Sequence, residues 1–410
     1  MTCPSLPLNP DSGMLEILSE EAHGGKLALC HTCGACLSRC HLRDVVPEAN
    51  PRRFVRMVAN GWEEAALESR FLWTCTLCNR CTFDCPMGLR MDEVVRAARG
   101  VQARRGQTPP VLQEGIQSAL ETGNVSMIPK EEFVETAEWL EEELQGELED
   151  EAFRFPLDVK GAKYVYLPNP REINIVPMHL MQNALLLNEL GETWTLGSEI
   201  SDVTNWGYFA GDRDATRRIA LRVAEAVETL EAENLVLTEC GHAFWVYARN
   251  LEHWIGRKPR FRVLSMIELI DQGIREGRLR LDPEKNPQLT TYHDPCNLGR
   301  KGGLLEEPRR VLKAAVKEFV EMRPCGMEGW CCGGGGGVDR VPESTDTRLQ
   351  TGKYKMDQIA KTGARVVATG CLSCQSTLND LKKHYKVNVE ILTVTELASR
   401  ALVRKADGAA

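Results

Sequence analysis

The sequence has no apolar run approaching the roughly 20 residues that a membrane-spanning helix needs. Its first residues, Met1-Thr2-Cys3-Pro4-Ser5, offer neither the basic region nor the apolar stretch of a secretory leader. The expectation is a chain that stays in the cytoplasm and reaches a membrane only through a partner. Basic stretches long enough to track a phosphate backbone are also missing, and the net charge of −8 disfavours nucleic acid as a ligand. No flavin- or nucleotide-binding fingerprint occurs. The five glycines at 333–337 are followed by Val338-Asp339-Arg340 and not by the Gly-Lys-Ser/Thr of a phosphate loop, so any flavin would sit on another chain.

What the chain does have is cysteine. Sixteen occur in 410 residues whose hydrophobic (43%) and charged (26%) fractions are those of an ordinary globular protein with two or three cored domains. In an unexported chain of this size, clustered cysteines point to metal ligation or redox chemistry more than to disulfides. Cys3 and a short amphipathic stretch at 14–22 carry no chemistry that their residues identify.

Eight cysteines form two runs. Cys30-x2-Cys33-x2-Cys36-x3-Cys40 is followed by Cys75-x2-Cys78-x2-Cys81-x3-Cys85-Pro86, the ferredoxin spacing twice over. Zinc also takes four thiolates, but zinc ribbons use two separated CxxC pairs, not one continuous run. In two-cluster ferredoxins the fourth cysteine of each run ligates the other cluster. One [4Fe-4S] cubane is therefore expected on Cys30, Cys33, Cys36 and Cys85, and a second on Cys75, Cys78, Cys81 and Cys40. The first run has His41 where the second has Pro86. It reads as a surface histidine or as a change in hydrogen bonding at the neighbouring sulfur. Between the runs, helices are expected from Pro51, with proline in the first turn, and from Glu63. Arg52, Arg53 and Arg56 on this helical insert either offset thiolate charge or form a solvated face.

The break Gly106-Gln107-Thr108-Pro109-Pro110 closes the expected first domain, residues 1–106. Residues 131–151 carry eleven acidic side chains and no basic one, with Phe133, Ala137, Leu140, Leu144 and Leu148 at helical spacing, so 107–160 reads as an acidic helical connector. Beyond it, β-rich runs at 163–167, 235–238, 261–264, 290–293, 365–369 and 387–392 alternate with helical stretches at 212–231, 307–320 and 347–361. That alternation predicts mainly parallel sheets.

This region also repeats itself. Segment 166–170 answers 292–296, Asn205-Trp206-Gly207-Tyr208 answers Gly329-Trp330-Cys331-Cys332, and Leu237-Thr238-Glu239-Cys240-Gly241 answers Ala368-Thr369-Gly370-Cys371-Leu372. The expected fold class is α+β: an N-terminal α-helical two-[4Fe-4S] ferredoxin domain, then a duplicated α/β domain with half-domains at 161–280 and 281–410. The second half holds Cys296, Cys331, Cys332, Cys371 and Cys374. The first has Pro170, Gly207, Tyr208 and Ala243 at four of those places and keeps only Cys240. It is expected to be scaffold and one wall of a cleft, with Cys240 looking in.

Five thiols are one more than a tetrahedral ion or a cubane requires. Adjacent cysteines diverge, so Cys331 and Cys332 suit two irons of a larger cluster. The glycines after them would let backbone approach bulky sulfide and offer N–H donors. His293, Arg300 and Lys301 are candidates for donating a proton or balancing thiolate charge, or are simply hydrogen-bonded or solvated. Cys325 reads as a buried structural cysteine or as a thiol behind the ligands.

The words His293-Asp294-Pro295-Cys296-Asn297-Leu298-Gly299-Arg300 and Trp330-Cys331-Cys332-Gly333-Gly334-Gly335-Gly336-Gly337 resemble the CCG domain of heterodisulfide reductases, and within it the DsrK/HdrD-like subunits of membrane-bound redox complexes. The Hmc and Tmc complexes of sulfate reducers contain similar subunits. Asn50-Pro51-Arg52-Arg53 and Phe71-Leu72-Trp73-Thr74-Cys75 resemble the small ferredoxin-like subunit of the same enzymes. The resemblance implies one noncubane [4Fe-4S] cluster on the five cysteines, fed by the two cubanes. It also implies disulfide reduction or its reverse in an anaerobic respiratory complex, such as one of sulfate reduction. It implies a membrane-embedded cytochrome-type or other redox partner, and attachment through that partner to the inner face of the cytoplasmic membrane. HdrD-type subunits carry two complete motifs and this chain one. The implied substrate is therefore less the coenzyme M and coenzyme B heterodisulfide than polysulfide or the cysteine pair of a DsrC-like carrier protein, carried as a trisulfide. Similar domains also serve as pure electron-transfer subunits and as iron–sulfur subunits of glycolate/lactate-type hydroxyacid oxidases.

Overall fold

The computed structural model describes Leu27 and residues 29–404, so Cys3 and the stretch 14–22 lie outside the described residues. In each cysteine run the residues flanking the second cysteine turn left-handed: Thr32 (φ 59°) and Gly34 (φ 85°) in the first, Leu77 (φ 51°) and Asn79 (φ 61°) in the second. Ordinary side chains adopt that conformation at a cost of about 1 kcal/mol or more. The matched turns curl both runs alike and hand each third cysteine to a short helix, Ala35–Ser38 or Arg80–Phe83. Helices Pro51–Ala59, Glu63–Leu67, Phe71–Thr74 and Met91–Arg104 pack behind them around Phe54, Val55, Phe71, Leu72 and Val95. The insert opens as its residues dictate, with Asn50 accepting from Arg53 N at 3.1 Å ahead of Pro51.

Two four-stranded parallel sheets follow. The first contains β1 (Tyr164–Leu167), β2 (Trp194–Leu196), β3 (Asn234–Leu237) and β4 (Arg262–Ser265) in the order β2-β1-β3-β4. The second contains β5 (Thr290–His293), β6 (Phe319–Glu321), β7 (Val366–Thr369) and β8 (Glu390–Thr393) in the order β6-β5-β7-β8. The strand order is the same in both. Each last strand also feeds a helix through a capping box, Ser265 with Glu268 and Thr393 with Glu396, a sequence match that the spacing of cysteines overshadows.

Two expectations need correction. The helix expected over 307–320 ends at Ala315; Val316 turns extended (φ −126°, ψ 146°), and Phe319–Glu321 pairs with β5 as an edge strand. Sheet pairing overrides the local helical pattern there. The helix expected over 347–361 is two, Thr345–Thr351 and Lys353–Thr362, meeting at Gly352, where any side chain would collide with Leu381. The acidic helix, Lys130–Leu148, buries Phe133, Ala137, Leu140 and Leu144 in the core of the first sheet and turns its carboxylates outward. Between the halves, helix Met266–Arg275 packs on Glu306–Ala315, and Val394–Ala401 packs back on Met178–Glu189.

One buried side chain joins three parts of the molecule. Arg99, with no exposed surface, donates from Nε to Leu72 O (3.0 Å), from Nη1 to Phe209 O (2.9 Å) and Gly336 O (2.8 Å), and from Nη2 to Cys75 O (2.8 Å). Its plane lies over Trp73 at 4.5 Å. Burial pulls its pKa down to about 10. Four carbonyl acceptors thus hold one guanidinium in the interior. Arg99→Met fills similar space but strands all four, and should cost about 3 kcal/mol or more. A melting midpoint lowered by several degrees, with new proteolytic cleavage near residues 106–110, is the expected result; unchanged melting would contradict the clamp.

Candidate functional site

Cys296, Cys331, Cys332, Cys371 and Cys374 gather at the C-terminal ends of β5 and β7. Cys296 follows His293 and opens the turn Asn297–Lys301. Cys371 precedes helix Leu372–His384, whose first turn carries Cys374. The strand order reverses between β5 and β7, the place where parallel sheets present loops to ligands. The loop with Cys331 and Cys332 closes the site, and all five thiols are buried. Cys332 Sγ lies 3.3 Å from Cys374 Sγ. Cys371 is drawn down to about 7 by its contact with Cys374, and the N–H groups of Cys374, Gly241 and Ser373 hold it there against burial.

The adjacent pair points two ways. Cys332, with Cys296, Cys371 and Cys374, lines a cleft of about 870 Å³, part of it open, whose other wall carries Pro170, Cys240 and Gly241 from the first half. Arg171 crosses it, donating to Ser373 Oγ at 2.9 Å and pairing with Asp339 at 3.0 Å. Cys331 is not among the cleft residues. Its thiol touches those of Cys78, Cys296 and Cys332 and lies 3.6 Å from Thr76 Oγ1, at the second ferredoxin loop.

The glycine run does offer an N–H donor to the site, from Gly333 to Cys331 Sγ at 3.3 Å, and it has a second duty that its composition does not suggest. A Cβ at Gly335 would lie 2.6 Å from Thr76 O, and Gly336 (φ +63°) would place one 2.9 Å from Thr76 C. These glycines admit a protein loop. Arg300 fastens the same contact, donating to Met327 O (2.7 Å), Cys78 O (2.7 Å) and Gly329 O (2.6 Å). Lys301, also a candidate, turns the other way into a buried ion pair with Asp92 at 3.2 Å.

His293 is buried with neither ring nitrogen hydrogen-bonded, and one ring nitrogen lies within 4.8 Å of the thiols of Cys332 and Cys374. Burial, and then Lys355, push its pKa well down, so it stands as neutral imidazole. Lys355, which the sequence did not single out, is buried behind the thiols and donates to Gln358 Oε1 at 2.7 Å. Cys325 is only half-buried, beside Arg309 and Glu321. His41 is the clearest correction: it is buried, not on the surface, and faces Cys78.

The ferredoxin cysteines surround two further cavities. Cys30, Cys33, Cys36 and Cys85 line one of about 450 Å³, and Cys40, Cys75 and Cys78 one of about 370 Å³, with Cys81 touching both. Burial and mutual repulsion raise Cys36 to about 11; burial raises Cys75 to about 12, and contact with Cys331 followed by burial raises Cys78 to about 11. Thiols packed this way become thiolates together only if a cation binds them, and soft sulfur donors in fours suit iron–sulfur clusters.

Residues 29–90 match the family described as a 4Fe-4S dicluster domain, and residues 290–379 the cysteine-rich domain family CCG. The chain joins a 4Fe-4S dicluster domain to a CCG domain. It is 25% identical to the Hdr-like menaquinol oxidoreductase iron-sulfur subunit 2 of Archaeoglobus fulgidus, over 93% of this chain and 80% of that one. It is 27% identical to a dihydromethanophenazine:CoB–CoM heterodisulfide reductase subunit of Methanosarcina mazei, over 80% of this chain and 77% of the relative. A probable membrane-anchored ferredoxin of Chromohalobacter salexigens is 28% identical over 77% of this chain but only 45% of its own length. No helix among the described residues of the CCG-domain protein is long and apolar enough to cross a membrane.

Gly335→Ala tests the loop contact directly. It should destabilise the protein by about 1–3 kcal/mol through overpacking against Thr76. Gly146→Ala, on the acidic helix with nothing within 4 Å, should be neutral or stabilising. Equal melting midpoints for the two variants would refute the role given to Gly335.

Proposed function

We propose that this chain is the iron–sulfur subunit of a membrane-associated redox complex, passing electrons between a partner subunit and a sulfur–sulfur bond held in the cleft. The observation that carries the reading is the divergence of Cys331 and Cys332, one touching Cys78 and the other lining the cleft. Cys30, Cys33, Cys36 and Cys85 would hold one cubane and Cys40, Cys75, Cys78 and Cys81 the other; the five CCG cysteines would hold a noncubane [4Fe-4S] cluster. Such clusters supply single electrons, which a two-electron disulfide cleavage must receive in sequence.

The chain's own residues do the rest. Arg99 and Arg300 fix the second ferredoxin loop against the CCG loop, so that the two thiol sets touch. Cleaving a disulfide takes two electrons and two protons and yields two thiols. Neutral His293 can donate one N–H hydrogen bond to sulfur beside Cys332 and Cys374, Lys355 balances thiolate charge from behind, and both protons reach the sulfurs from solvent through the open side of the cleft. Exposed Ile175 at the cleft mouth, beside Asn174 and Ser126, favours a substrate sulfur borne on a carrier protein of the DsrC type over a small hydrophilic ion. The partner at the other end is a membrane cytochrome-type or related redox subunit. The insert, with Trp62 exposed, is the surface offered to it.

Anaerobically prepared protein should contain about 12 irons. Adding thiols to the oxidised form should perturb one paramagnetic signal, and Cys331→Ser or Cys332→Ser should abolish that response while both cubanes remain reducible. Zinc at the five-cysteine site would end the redox reading. A spectrum unmoved by a wide range of thiols and DsrC-like proteins would reduce the chain to a relay.

A further inference from the structure

Buried polar groups without partners collect around one of the two ferredoxin cavities. His41 is 5% exposed and its Nε2 has no partner; Arg80 is 3% exposed and neither Nε nor Nη1 has one. Both line the cavity of Cys40, Cys75, Cys78 and Cys81. Arg80 is pinned there. Its guanidinium lies 3.8 Å from the centre of the Trp330 ring, which stacks in turn on Tyr354 at 4.9 Å. The cavity of Cys30, Cys33, Cys36 and Cys85 differs. Cys33 is exposed, and no buried side-chain nitrogen without a partner lines it among the described residues. The two runs also differ in sequence at this point, since Pro86 occupies in the second the place His41 holds in the first.

A buried donor with no acceptor forfeits its hydration without recompense. Two such residues in one cavity imply acceptors that the protein alone does not supply, and cluster sulfur is an acceptor. Reduction makes a cluster more negative, so N–H···S bonds and a nearby cation favour the reduced form, whereas burial among apolar groups disfavours it. The second cavity is the deeper one, which by itself would make it the harder to reduce.

We propose that His41 and Arg80 are positioning residues that hydrogen-bond the sulfur of the second cubane and make it the more easily reduced of the two. This rests on the two-cubane reading above. An electron entering at the exposed Cys33 side would then settle next to Cys78, in contact with Cys331, instead of remaining at the surface. Arg99, which donates to Cys75 O, adds positive charge on the same side.

Redox titration of the anaerobically prepared protein, followed by electron paramagnetic resonance, tests this, with Cys33→Ser assigning the signal of the first cubane. At the poise where the second cubane is half reduced, His41→Phe and Arg80→Gln should each lower its reduced-to-oxidised ratio about tenfold, equivalent to about 59 mV for one electron. The first cubane should not move, and Arg80→Lys should restore most of the loss. Protein labelled with ¹⁵N-histidine should show a nitrogen coupling on the reduced second cubane, and this measurement needs no variant. Full loading with unmoved potentials, equal shifts in both cubanes, or no nitrogen coupling would overturn the proposal. Iron short of two cubanes in the unmodified protein would instead overturn the reading beneath it.

Discussion

The molecule depends on one close approach, that of the loop Cys75-Thr76-Leu77-Cys78 to the glycine loop after Cys332. Gly335 and Gly336 make room for it, Arg99 ties Cys75 O to Gly336 O, and Arg300 ties Cys78 O to Gly329 O. Each guanidinium spends its donors on backbone carbonyls of both partners. The joint is therefore made of hydrogen bonds to atoms every sequence possesses, positioned by two side chains that must be arginine, since lysine offers no planar fork. Without this joint the ferredoxin cysteines and the CCG cysteines would be separate sites. With it, Cys78 and Cys331 are neighbours.

The two sheet halves share a strand order, yet they meet unequally. Glu239 of the first half accepts from Val394 N (3.0 Å), Thr395 N (3.2 Å) and Thr395 Oγ1 (2.6 Å), capping a helix of the second. Its counterpart is Gly370, where a Cβ would come within 2.7 Å of Ile267 in the first half. One half thus reaches across with a carboxylate and the other yields space. The place of Cys332 is taken in the first half by Tyr208, which is held by Trp245 at 2.6 Å and by the Arg96 guanidinium 3.8 Å over its ring. A thiol site has become packing, and what remains of it, Cys240, faces the complete site across the cleft.

Much of this was legible in the residues. The cysteine runs, the internal repeat, the helix starts at Pro51 and Glu63 and the parallel strands all follow from spacing and periodicity, which act over a few residues. The strands Trp194–Leu196 and Phe319–Glu321 did not, because three-residue strands owe their form to pairing with β1 and β5 and not to local preference. The same limit hid the functional contacts. Arg99 looks like any arginine on an amphipathic helix, and His41 like a surface residue. The glycine run suggested N–H donors and space beside sulfur, and Gly333 does donate to Cys331 Sγ, but that Gly335 and Gly336 face a loop more than 250 residues earlier in the chain was not visible. The one local sign was the difference between His41 and Pro86 in otherwise matched runs.

If three sets of thiols, the first two meeting at Cys81 and the last two at Cys78 and Cys331, hold iron in a line from the ferredoxin end to the cleft, the metal itself can be located outright. The direct measurement is anomalous scattering at the iron edge from crystals grown without oxygen. Three separate iron peaks are predicted, among Cys30, Cys33, Cys36 and Cys85, among Cys40, Cys75, Cys78 and Cys81, and among Cys296, Cys331, Cys332, Cys371 and Cys374. Iron missing from the third set, or a peak there at the zinc edge in its place, would contradict that line.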